Sequence, residues 1–127
     1  SDTLINVTED THGHVLVVRL IFLKLQWTSL DVLDLSLAFT ASGSVGDVPL
    51  GRGELVDATS LVAARALELQ LGATRTAVAE QHGCYRLVSQ PGASSEQIID
   101  SLLAAFREGG EGTETRASTA PSAWGCK

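Results

Sequence analysis

Hydrophobic positions along the chain gather into a few stretches separated by glycine-rich and polar breaks. After the turn-like Thr11-His12-Gly13-His14, residues 15–25 read VLVVRLIFLKL, interrupted only by Arg19 and Lys24. A β-branched start and unbroken apolar character predict a strand buried on both faces, placed centrally in a sheet. Beyond Gln26-Trp27-Thr28-Ser29 a second apolar stretch covers residues 30–39. Asp31 and Asp34 stand three apart in it, so strict alternation fails, and a strand and a short helix are both open readings. Residues 41–53 contain Gly43, Gly46, Pro49, Gly51 and Gly53, a composition that predicts a loop.

Helical spacing follows. Over residues 57–71, Asp57 is a good N-cap residue, Glu54 adds negative charge near the start, and Gly72 is a natural C-cap. Leu61, Val62, Ala66 and Leu69 would form its apolar stripe. Residues 74–90 admit two readings. One is a hairpin pairing 74–80 with 84–90 across Gln81, His82 and Gly83; the other is a short helix over 75–81 stopped by Gly83. The second helix, 94–108, has a capping box, Ser94 with Gln97 three residues on. Ile98, Ile99, Leu102, Leu103 and Phe106 share one face of it. The fold class expected is α/β or α+β: a small mixed sheet with helices 57–71 and 94–108 packed on it. Residues 1–110 form a single globular domain, and 111–127 a flexible tail or one docked through Trp124.

A chain of 127 residues suits one domain with a real core. Its net charge of -6 and nine scattered Lys and Arg argue against nucleic acid, which needs clustered cations. The longest apolar run is too short and too charged to span a bilayer. No signal peptide is visible, and the triplet Asn6-Val7-Thr8 reads as a chance glycosylation pattern. A cytoplasmic location is the expectation. The two cysteines, Cys84 and Cys126, are either reduced thiols or a bridge pinning the tail to the body, which requires an oxidising compartment.

Candidate chemistry is sparse. His82 and Cys84 lie two apart, and an imidazole can activate a thiol, but Gly83 between them leaves their relative direction open. His12 and His14 could face one way on an extended segment, yet zinc needs a third and usually a fourth ligand, so no metal is expected. Glycines 43, 46, 51 and 53 could turn backbone N–H groups toward an anion beside Arg52, but neither a P-loop nor GxGxxG is present. No cofactor is expected.

Three patches resemble the STAS domain, the fold of bacterial anti-sigma-factor antagonists and of sulfate-transporter cytoplasmic domains. INVTEDTHGHVLVVRL, residues 5–20, is similar to that family's opening strand pair. VLDLSLAFTASG, residues 32–43, is similar to its central strand and following loop, with Thr40 and Ala41 where the family carries Asp and Ser. Residues 74–106 are similar to its last helix, last strand and C-terminal helix. The resemblance implies a phosphorylation-controlled switch at Ser42, with Gly43 and Ser44 completing the interaction loop. A phosphate there adds about −1.5 to −2 charge and would mis-seat a docked partner. The leading expectation is therefore a non-catalytic regulatory or protein-interaction module with a protein partner. The alternatives are a small enzyme or ligand-binding protein with a cleft near Cys84 and His82, and a subunit of a homo- or hetero-oligomeric assembly.

Overall fold

The computed structural model describes residues 3–9, 14–108 and 111–115. In chain order these form β1 (Thr3–Glu9), β2 (His14–Trp27), β3 (Val32–Val45), β4 (Val48–Pro49), α1 (Arg52–Ala63), a π-helical segment (Ala64–Leu69), β5 (Thr74–Ala79), β6 (His82–Val88), α2 (Ser95–Glu108) and β7 (Glu111–Thr115). The strands make one sheet in the order β5-β6-β3-β2-β1-β7, with β4 folded onto β3. Every pairing is antiparallel. The fold is α+β, and the sheet is antiparallel rather than mixed.

β2 sits centrally, as expected, but only one of its faces is buried. Leu16, Val18 and Leu20 point into the core, while Val15, Arg19 and Phe22 are exposed. The register against β3 slips between Leu20 and Phe22. This bulge adds one residue, so the alternation restarts in opposite phase and Leu23 also enters the core. Two out-of-phase alternations read as one continuous apolar run. That is why a one-sided strand looked two-sided in sequence.

β3 continues through Val45, so residues 41–45 are strand and not loop. Asp31 lies in the preceding turn, where its carbonyl accepts from the Ser89 N–H at 2.7 Å, so its spacing from Asp34 breaks no alternation. Leu33, Leu35, Leu37 and Phe39 all face inward. Gly43 is in the strand because a Cβ there would run into the Val15 carbonyl and press Leu50. The turn itself is Gly46-Asp47, with Gly46 at φ 57°.

The first helix begins at Arg52, five residues before Asp57, which lies exposed inside it. Gly51 stands at its N-cap with no side-chain cap, and its carbonyl accepts from Leu55 at 2.9 Å. The buried stripe is Thr59, Val62, Ala63, Ala66 and Leu67, whereas Leu61 and Leu69 face out. Gly72, at φ 73°, ends the helix as expected. Residues 74–88 form the hairpin, with its turn at Glu80-Gln81. His82 and Gly83 therefore belong to β6 instead of the turn. The capping box of α2 is present: Gln97 N–H donates to Ser94 Oγ at 3.3 Å, and Ser94 N–H to Gln97 Oε1 at 3.0 Å.

Both helices share one core with the inner face of the sheet, through Val62, Leu67, Leu102 and Phe106 against Leu35, Leu37 and Tyr85. Residues 111–115, expected in the tail, are the edge strand β7 paired with β1. His12, Trp124 and Cys126 lie outside the described residues.

Candidate functional site

Ser42, Gly43 and Ser44 sit at the far end of the β2–β3 ladder, opposite Val17, Leu16 and Val15. Ser42 is exposed and Ser44 half-buried on the outer face of the sheet, while Gly43 faces inward against Leu50. The three are paired backbone, not a free loop.

The inner side of the same strand borders a depression. Phe39 and Ala41 of β3 form one wall, Arg52, Leu55, Val56 and Thr59 of α1 the other, and Gln81 closes one end. It is shallow and open to solvent, with a cavity volume of about 30 Å³. Two bonds set its shape: Phe39 N–H donates to the Gln81 carbonyl at 2.9 Å, and Thr59 Oγ1 donates to the Leu55 carbonyl at 2.7 Å. The second leaves the Thr59 hydroxyl satisfied, so the floor presents apolar surface. At the end of the depression occupied by Gln81, Arg52 pairs with Glu80 at 2.5 Å, both largely exposed. Such an exposed ion pair contributes about 0–1 kcal/mol and can be exchanged for another charged group.

His82 and Cys84 both point to the outer face of β6, since strand residues two apart share a face. They lie opposite Ala38 and Ser36. Cys84 is buried and disulfide-bonded, and Cys126 lies outside the described residues. The His82 Nδ1–H donates to the Glu80 carbonyl at 2.7 Å. A disulfide sulfur is not a thiolate, so nucleophilic chemistry at Cys84 would require prior reduction.

Two further polar features belong to β6. Arg86 makes a two-pronged contact with Asp34 across the sheet, at 2.7 and 2.9 Å. This hydrogen bonding, helped by the guanidinium charge and opposed by burial, holds the Asp34 carboxyl below its ordinary range. Tyr85 is buried on the inner face, and its hydroxyl has no hydrogen-bond partner. Burial pushes that phenol up to about 12, with the Arg75 charge pulling it down and the Glu68 charge pushing it up.

Among the described residues no three His, Cys, Asp or Glu side chains come together as a metal site. Sequence reasoning missed the depression because its lining comes from three distant segments. Of its lining only Arg52 was considered as a ligand contact, and for an anion.

No protein-family model, curated protein or solved structure matches this chain.

Proposed function

We propose that the protein is a non-catalytic interaction module that takes an apolar side chain of a partner protein into the depression between β3 and α1. One observation carries this reading: the walls supplied by Phe39, Ala41, Leu55 and Val56 present apolar surface beside an exposed Arg52–Glu80 pair. Apolar anchors seated in pockets with polar rims are how protein interfaces concentrate their binding energy. At about 30 Å³ the space is far below the roughly 300–1,000 Å³ usual for small-molecule sites, which favours shallow contact with the tip of a side chain over an enclosed ligand. Ser42 faces the opposite side of the sheet, so a phosphate on it would not touch an occupant directly. The phosphorylation switch therefore has no part in this proposal.

Peptides selected from a random library for binding provide the test. They should share one large apolar residue and shift the amide resonances of Ala41, Val56 and Gln81. Val56→Arg, which fills the depression with a charged side chain, should abolish their binding while leaving the fold intact. Unchanged binding to Val56→Arg, or resonance shifts confined to another face, would sink the proposal.

Cys84 also bears on the compartment. Disulfides persist in oxidising surroundings and are rare in the cytosol, so a disulfide-bonded Cys84 favours an oxidising location over the cytoplasmic expectation. No helix among the described residues is long and apolar enough to cross a membrane.

A further inference from the structure

Backbone pairing along β3 is interrupted at one point. On one side the strand is paired with β2 from Leu33 to Val45. On the other, β6 covers Val32 to Ala38, and β4 covers Ser44 and Val45. Two bonds narrow the interval between them: Phe39 N–H donates to the Gln81 carbonyl at 2.9 Å, and Leu50 N–H donates to the Gly43 carbonyl at 2.9 Å. Backbone groups along a strand alternate in direction, so residues two apart point the same way. Phe39 and Gly43 both point to the side of β6 and β4, and Ala41 between them does the same. Among the described residues no strand lies opposite Ala41 on that side. Its N–H and C=O therefore open onto the gap, at the depression that Ala41 itself lines together with Phe39 and Gln81.

We propose that Ala41 is a docking point for an amide group of the partner protein, with the Ala41 N–H donating to the amide oxygen and the Ala41 C=O accepting from the amide N–H. This rests on the reading of the depression as a partner site and names the polar contact made there. Only a group that both donates and accepts satisfies the pair: a carboxylate has no proton for the carbonyl, and an ammonium has no lone pair for the N–H. Unpaired strand edges are satisfied in this way when an extended peptide joins a sheet. The interval here is short. From the position opposite Phe39 to that opposite Gly43 is four residue steps, roughly 13 Å at ~3.3 Å each. Gln81 and Leu50 occupy its two ends, so a strand cannot run through. The occupant is a single residue, presenting either an Asn or Gln carboxamide or its own extended backbone. Leu55 and Val56 beside the gap take the flanking apolar side chain.

Amide hydrogen exchange of the free protein tests the gap. After correction for intrinsic rates, Ala41 should exchange several-fold faster than Phe39, Thr40 and Ser42, whose N–H groups are paired. Equal protection would mean that Ala41 already has a partner, and the proposal ends there. Binding is tested with the library-selected peptides. At saturation they should slow exchange at Ala41 and share an Asn or Gln beside their large apolar residue. Replacing that Asn by Leu, or Gln by Met, keeps the size, removes the amide and should weaken binding about tenfold. If the selected peptides share neither residue, an ester in place of one backbone amide should produce a similar loss, which assigns the contact to backbone. Peptides that shift Val56 but leave exchange at Ala41 unchanged, and tolerate every such replacement, overturn the amide contact while leaving the depression as a partner site. Peptides bound only at another face overturn both.

Discussion

Tyr85→Phe should stabilise the protein. The substitution removes one hydroxyl from a side chain that is 1% exposed and whose oxygen has no hydrogen-bond partner. Leaving such a group unpaired in the interior costs about 1–3 kcal/mol relative to water. The opposing term is small, because the void left by one oxygen is on the order of 10 Å³, which at ~24 cal/mol per Å³ costs roughly 0.2 kcal/mol. Ring packing is kept: the ring lies across Gly83, where a Cβ would come within 2.9 Å of Tyr85 Cε2. The net gain is about 1–2 kcal/mol. In urea the midpoint should rise with an unchanged slope, and the melting temperature should rise by several degrees.

The pH dependence gives an independent check with a definite sign. Burial raises the folded phenol from 10.0 to about 12. A raised folded pKa means that the unfolded chain loses its proton first, so stability is intact below pH 10 and falls between pH 10 and 12. Two units correspond to roughly 2–3 kcal/mol at most. Wild type should show this loss, and Tyr85→Phe should lack it, so the gap between them widens above pH 10. A variant that is less stable than wild type at pH 7, by 1 kcal/mol or more, would refute the reasoning: the hydroxyl would then have a partner.

Three further outcomes follow from named contacts. Gly43→Ala should cost about 1–3 kcal/mol in urea unfolding, since its Cβ meets the backbone carbonyl of Val15, which cannot swing aside. Leu102→Asp should unfold the domain while Ser101→Asp is tolerated, because Leu102 is buried and Ser101 exposed on α2; equal melting temperatures would contradict that face assignment. The depressed Asp34 carboxyl contributes stability at neutral pH that is lost as pH falls through its folded pKa, so Asp34→Asn should flatten the acid limb of the stability curve, measured by circular dichroism between pH 5 and pH 2.

Local signals were read well where one residue pair decides the structure. Ser94 and Gln97 predicted the start of α2 because the capping box is closed within a single turn. Gly72 predicted the end of the first helix for a similar reason. The start of that helix was missed because Gly51 offers no side chain to recognise, while Asp57 offers a plausible one in the wrong place. The depression was not legible at all. Phe39, Val56 and Gln81 meet only because β3, α1 and the β5–β6 turn converge, and no spacing along the chain encodes that.

Glycine misled in a consistent way. Gly43 and Gly83 both read as turn residues, yet each lies in a paired strand. Each is there for space: Gly43 lets Val15 and Leu50 approach, and Gly83 makes room for the Tyr85 ring. The tight turn between β5 and β6 instead falls on Glu80 and Gln81, with Gln81, a non-glycine residue, at φ 55°. Moving that turn toward the N-terminus places His82, Gly83 and Cys84 on one continuous strand. The strand then turns His82 and Cys84 to the same face, which a turn at Gly83 would not have required. Their neighbours become Ala38 and Ser36 of β3, and Cys84 lies in the buried centre of the outer face. A single misassigned glycine thus separates two pictures of Cys84, a thiol beside a turn histidine and a disulfide sulfur in the middle of a sheet. The space needed by the Tyr85 ring decides between them.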